Sequence, residues 1–397
     1  MSGTSNVYLN ALGIISCLGA GKQIHLEKLL KGDNTAFKKS DIFTPGKLQN
    51  LGFITCDLPK IPDSLSEYNC RNNQISLAAL LQIITEINAA IEKYGKDRVA
   101  VLAASSTTGI KECEDLFSQP VQQKVLVPRI QEMGIVSEFI FKYLNLESFH
   151  YTVSTACSSS AKILASAHRI LNNNLCDAVI TIAADTLSFL TVQGFDSLEA
   201  VSSESCLPFS KDRKGINLGE AAAVFLISKE KTDEEIFLAG YGESSDAHHM
   251  SAPDPQGCGA SISIKNSLTM ASLLPSDINY INLHGTGTAL NDDMEGKITY
   301  DIFGDKTPCS SSKSLTGHTL GASGIIESAF CWLLLSTKNT GKNLPIHYWN
   351  NSRDPEIPPI LLCTANMNFP LAKTWYTLSN SFAFGGNNSS IILGKNI

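Results

Sequence analysis

The chain has no Cys-x-x-Cys pair, and none of its 11 cysteines stands at a metal-ligand spacing from a histidine. A zinc framework is therefore excluded, and the odd cysteine count argues against a disulfide-stapled fold. No apolar run reaches membrane-spanning length, so no membrane contact is expected. Basic charge is in deficit: 31 Lys and Arg stand against 38 Asp and Glu, a net charge of −7. Neither nucleic acid nor an anionic lipid surface is then an expected partner of the whole exterior. The segment from Met1 to Asn6 carries neither the basic start nor the apolar stretch of a secretory signal. Asn350-Asn351-Ser352 matches a glycosylation acceptor, which means little without such a signal. A reducing cytoplasm is the expected location, and neither a metal nor a resident cofactor is expected.

What the chain does have is core-forming material. Its 397 residues are 43% hydrophobic and 17% charged, enough for two domains or one large layered unit. Val7 to Ile15 reads as a strand, with a helix through Ile24 to Leu30. Residues 33 to 70 mix charge, Gly and Pro without a period and read as a surface excursion. Leu77, Leu80, Leu81, Ile84, Ile87 and Ile91 predict one long amphipathic helix from Gln74 to Tyr94. The uninterrupted apolar run Val99–Ala104 has the character of a strand buried on both faces; Ala178–Ala184 reads as another buried strand, and Ala221–Ile227 as a strand. From about residue 240 the order of elements begins again, with strands near Ile278–Leu283, Ser310, Tyr376–Ser381 and Ser390–Leu393. Alternating buried strands and helices give an α/β layered fold. The repeated order divides the chain into halves, 1–240 and 241–397.

Chemistry concentrates where apolar runs end in small residues. Ser154-Thr155-Ala156-Cys157-Ser158-Ser159-Ser160 lies between a strand ending at Val153 and an amphipathic segment with Ile163, Ala167, Ile170 and Leu171 at helical spacing. Cys157 is thereby placed at a helix N-terminus, where free N–H groups and the helix dipole favour a thiolate nucleophile. His284 follows a buried strand directly, in His284-Gly285-Thr286-Gly287-Thr288. His318 lies in Gly317-His318-Thr319, five positions after Lys313. Functional residues gather in such glycine-flanked loops at strand ends of α/β folds.

These motifs, with Asn380-Ser381-Phe382-Ala383-Phe384-Gly385-Gly386, resemble those of elongating β-ketoacyl-acyl carrier protein synthases of the thiolase-like superfamily, over about Val7 to Gly394. Arg71-Asn72-Asn73-Gln74 and Leu290-Asn291-Asp292 are most similar to ketosynthases of bacterial aryl-polyene pathways. The resemblance implies a thiolase-like duplicated α/β/α/β/α five-layered fold, with the nucleophile in the first half and both histidines in the second. It implies a decarboxylative Claisen condensation: Cys157 takes the acyl chain, and malonyl-carrier thioester supplies two carbons. His284 and His318, if neutral and donating from Nε2, would hold the enolate oxygen. The N–H groups of Cys157 and Phe384 would hold the tetrahedral oxyanion.

By the same resemblance Lys313 pairs with Glu327, Phe384 is a gating aromatic, and Thr286 and Thr288 bind the pantetheine arm. The loop of Thr107 and Thr108, glycine-rich in relatives, shapes the acyl pocket. Gly219-Glu220-Ala221 also departs from the family's Gly-Glu-Gly. The implied partners are an acyl carrier protein and a second subunit, either a copy or a chain-length-factor-like homologue. Carriers are acidic, so Arg71, Lys124, Arg129 and Arg213 are the candidate docking cations. Two other readings are a non-catalytic chain-length-factor-like subunit, disfavoured by the presence of Cys157, and a thiolase acting on coenzyme A thioesters. A thiolase would carry a second reactive cysteine where Phe384 stands.

Overall fold

A computed structural model describes residues 6–117 and 128–397. One series of elements runs through it twice. The first contains β1 (Tyr8–Ser16), α1 (Arg71–Leu80), α2 (Ile84–Tyr94), β2 (Val99–Ala104), α3 (Ile135–Tyr143), β3 (His150–Val153), α4 (Ser159–Asn172), β4 (Ala178–Asp185) and β5 (Ala221–Ser228). The second contains β6 (Ile236–Ser245), α5 (Cys258–Ala271), β7 (Tyr280–Asn282), α6 (Ala289–Phe303), β8 (Pro308–Ser310), α7 (Ser323–Leu335), β9 (Thr374–Phe382) and β10 (Asn387–Asn396). The residue-240 division falls inside β6.

Strand pairing repeats with the same logic. In the first sheet, β5 lies antiparallel between β1 and β4, and β2 and β3 follow in parallel. In the second, β10 lies antiparallel between β6 and β9, and β7 and β8 follow in parallel. The sheets meet where Tyr8 on β1 pairs with Phe237 on β6. The duplication read from element order is therefore present in the pairing, in a mixed rather than parallel sheet.

Alternation of side chains on the strands builds five layers. On β2, Ala100, Leu102 and Ala104 face a central core with Ile163, Leu164 and Ala167 of α4 and Ile325, Ile326 and Ala329 of α7. Val99, Val101 and Ala103 face outward to Ile75, Ile87 and Phe139 on α1–α3. On β10, Ile391 and Leu393 join the central core, while Ile392 meets Ile264, Leu268, Met294 and Ile298 on α5 and α6. Every residue of α7 is buried, as befits a helix enclosed on all sides. It crosses α4 closely at Gly324, where an added Cβ would lie 2.6 Å from the Ala161 nitrogen. The Ile325 N–H donates to Ser160 Oγ (2.9 Å) at the same crossing. The loops ahead of these two helices, carrying Cys157 and His318, are thus brought to one point.

One sequence expectation fails locally. The single helix from Gln74 to Tyr94 is broken by a 3-10 turn at Leu81–Ile83. Gln82 turns inward there, accepting from the Ile14 N–H and donating to the Ile14 carbonyl, both at 3.0 Å. The stretch Arg71–Tyr94 has the length and hydropathy of a membrane span, but this break and its packing on the first sheet identify it as core. The 33–70 excursion carries two short strands, Lys38–Ser40 and Gln49–Gly52.

Candidate active site

Cys157 sits in a turn held by the hydroxyls around it. Ser159 Oγ accepts from the Thr155 N–H (2.8 Å) and donates to the Ala156 carbonyl, and Ser158 Oγ donates to the Thr155 carbonyl. Ala156 takes a φ of 51°, in the left-handed region that side-chain-bearing residues rarely enter. Such a sharp turn directs the sulfur into the cavity. The thiolate expected from the helix N-terminus is not the resting form, however. Burial pushes the Cys157 thiol up to about 11, outweighing the opposing pull of the Lys313 charge and the Phe384 N–H. At pH below that value the thiolate fraction grows about tenfold per pH unit. Alkylation of Cys157 by iodoacetamide will therefore climb with that slope from pH 7 to 9 without a plateau, and a plateau near pH 8 would contradict it.

The imidazoles of His284 and His318 face each other edge to face, ring centres 5.5 Å apart at 88°. Both are buried, and burial, aided by the Lys313 charge, holds each well below the ordinary histidine range, so both rings are neutral. Their tautomers follow from their partners. His318 Nδ1 accepts from the Leu320 N–H (3.1 Å) and lies 3.0 Å from Ser323 Oγ. His284 Nδ1 lies 3.2 Å from the Lys313 ammonium, which can only donate. Each Nδ1 is thus an acceptor, which leaves the proton on Nε2. Lys313 also donates to the His284 carbonyl (2.5 Å) and to Glu327 Oε1. Burial pushes the Glu327 carboxyl up to about 7 against the pull of Lys313.

Cys157, His284, His318, Thr286, Thr288 and Phe384 line one cavity of ≈ 410 Å³. Thr286 and Thr288 share a hydroxyl hydrogen bond of 2.9 Å on its wall. The sequence reading gave no role to three contributors. Glu295 on α6 accepts from the His284 and Gly285 N–H groups, each at 2.7 Å, and so fixes the histidine loop. Asp292, one turn earlier, accepts from the Gly287 and Phe209 N–H groups. Its spacing of three from Glu295 on one helix face was the available signal. Phe195, on the helix Phe189–Ser197, packs 5.3 Å from the Phe384 ring and 6.4 Å from His318. No motif marked it.

Thr107 and Thr108 are not among the cavity's lining residues. Thr107 Oγ1 donates to Asp185 (2.7 Å), and the Thr108 hydroxyl donates to the Gln131 carbonyl. Three of the four candidate docking cations are already paired. Arg71 forks onto Glu220 at 2.8 and 2.6 Å, and Arg129 bonds Glu138. Arg213, on the cavity wall, spans Asp293 (2.6 Å) and Asp354 (2.5 Å). Lys124 lies outside the described residues. Arg71→Ala would strand the buried Glu220 carboxylate, so it will lower unfolding free energy by about 2–4 kcal/mol, read from the denaturant midpoint. A stability unchanged by this substitution would return Arg71 to the docking candidates. Among the described residues no cluster of His, Cys, Asp and Glu is arranged to hold a metal ion.

Residues 44–233 match the family model "Beta-ketoacyl synthase, N-terminal domain", and residues 237–347 match "Beta-ketoacyl synthase, C-terminal domain". A 3-oxoacyl-[acyl-carrier-protein] synthase 2 of Staphylococcus aureus is 27% identical, over 100% of this chain and 99% of that protein. One of the same name from Coxiella burnetii is 31% identical over 66% of this chain and 64% of its own. Among solved structures, the ketosynthase ApeO in complex with its chain length factor ApeC from Xenorhabdus doucetiae superposes with a TM-score of 0.90, at 42% identity and 98% coverage of both chains. The ishigamide ketosynthase/chain length factor shares the fold, with a TM-score of 0.85 at 23% identity and 100% coverage of both.

Proposed function

Since this chain belongs to the β-ketoacyl synthase family of acyltransferases, we propose that it is the condensing member of its assembly rather than a silent one. The observation that carries this reading is the shared cavity of Cys157 with two neutral imidazoles, each presenting Nε2–H. The Cys157 sulfur attacks an acyl thioester, and its proton leaves on the departing carrier thiol. A malonyl thioester then binds, and its C–C bond breaks to release CO2. The electron pair passes into an enolate whose oxygen receives hydrogen bonds from His284 and His318. The enolate carbon attacks the acyl carbonyl, whose developing oxyanion meets the Phe384 and Cys157 N–H groups. Collapse expels the Cys157 thiolate, which takes up a proton from solvent to restore the thiol, and yields a β-ketoacyl thioester two carbons longer.

The motifs Arg71-Asn72-Asn73-Gln74 and Leu290-Asn291-Asp292, similar to those of aryl-polyene ketosynthases, favour an aryl-polyene-type acyl chain as product, and the 42% identity to the ketosynthase ApeO exceeds the 27% to the Staphylococcus aureus 3-oxoacyl-[acyl-carrier-protein] synthase 2. The identity to ApeO also favours a chain-length-factor-like homologue over a second copy as the other subunit, with a cytoplasmic acyl carrier protein delivering substrate. Intact-mass measurement after incubation with acyl-loaded carrier proteins tests the reading. An acyl adduct mapped to Cys157, together with CO2 release from malonyl carrier, is expected. A chain that takes no acyl group and releases no CO2, alone or copurified with its homologue, is the chain-length-factor-like alternative.

A further inference from the structure

Asp185 ends β4 at full burial, and among the described residues no lysine or arginine pairs with it. All its contacts are neutral donors. On Oδ1 converge the N–H groups of Ser106 (2.7 Å) and Thr107 (2.8 Å) and the hydroxyls of Thr107 (2.7 Å) and Ser105 (3.0 Å). On Oδ2 arrives the Ala322 N–H at 2.9 Å. Both oxygens must accept at once, which an ionised carboxylate does and an amide cannot. Burial lifts the carboxyl to about 6 while these donors pull it back.

The two groups of donors come from different halves of the duplicated fold. Ser105–Thr107 follow β2, and the Ser105 carbonyl accepts from Ser154 Oγ, three residues before Cys157 (3.0 Å). Ala322 closes the 3-10 turn Leu320–Ala322, whose first N–H fixes His318 Nδ1. The approach is tight, since a Cβ added to Gly321 would lie 2.9 Å from Asp185 Oδ2. A single carboxylate therefore lies between the nucleophile's loop and the turn that orients one imidazole.

We propose that Asp185 is a positioning residue that docks the His318 turn onto the cysteine half and so sets where the His318 Nε2–H points. It touches no reacting atom. Its catalytic consequence rests on the condensing function above, but the docking itself does not.

Two measurements on Asp185→Asn separate these. Hydrogen exchange reads the docking without any activity: the amides of residues 320–322 are expected to exchange at least tenfold faster, with α5 unchanged. Activity reads the consequence: malonyl decarboxylation should fall at least thirtyfold while Cys157 acylation stays within fivefold. Unaltered exchange at 320–322 in a folded variant would overturn the proposal, as would equal losses in both half-reactions. Where Asp185→Asn fails to fold, Thr107→Val removes one donor in a near-isosteric way. It should show the same pattern at about threefold in exchange, and no change there would also overturn it. A wild type that neither acylates nor decarboxylates sinks the condensing reading, yet leaves the exchange result to decide on Asp185.

Discussion

Replacing Cys157 with alanine will suppress condensation by about 10⁴-fold or more, because no other group can carry the acyl chain between the two thioesters. The adduct seen by intact mass will vanish with it. Malonyl decarboxylation should persist, since His284 and His318 keep their rings, their neutral state and their Nδ1 partners without the sulfur. The small hydroxyls that shape the turn bond backbone groups rather than Cys157 itself, so the variant should fold. Continued β-ketoacyl product formation by Cys157→Ala would remove the cysteine from the mechanism. Loss of CO2 release in step with condensation would show that the sulfur helps to bind malonyl thioester.

The elements readable from sequence were those whose signal is local. β2 and β4 end close to where the apolar runs place them, and Cys157, His284 and His318 stand at apolar runs broken by glycine or serine. Features set by distant partners were not readable. The break at Gln82 exists because its amide finds the Ile14 peptide, 68 positions away. The Thr107 hydroxyl turns to Asp185, 78 positions on. Arg71 resembles a docking cation until Glu220 is seen beside it. The protonation of Cys157 was misjudged for the same reason. A helix N-terminus is visible in sequence, whereas the desolvation that overrides it comes from both halves closing over the sulfur. That Cys157, His284 and His318 stand at loops of one kind was legible through pattern, and their electrostatics only through packing.

The two histidines should respond differently to removal, although both donate to the same developing charge. His284→Ala takes away one Nε2–H, and malonyl decarboxylation should fall by about 10²–10³. Cys157 acylation, which needs no enolate, should stay within about tenfold by that logic. Lys313 loses the ring but keeps the residue-284 carbonyl and Glu327 as acceptors, so little stability should be lost. His318→Ala removes the acceptor of the Leu320 N–H and a neighbour of Ser323 Oγ inside a buried turn. An orphaned buried donor costs about 1–3 kcal/mol, so this variant should lose both CO2 release and denaturant midpoint. Because burial holds both rings far below the ordinary range near 6.5, neither imidazole should add an acid limb to wild-type decarboxylation; a limb near 7 belongs to the Glu327 carboxyl on Lys313 and should vanish in Glu327→Gln. His284→Ala decarboxylating at the wild-type rate would mean that the enolate is stabilised by some other group.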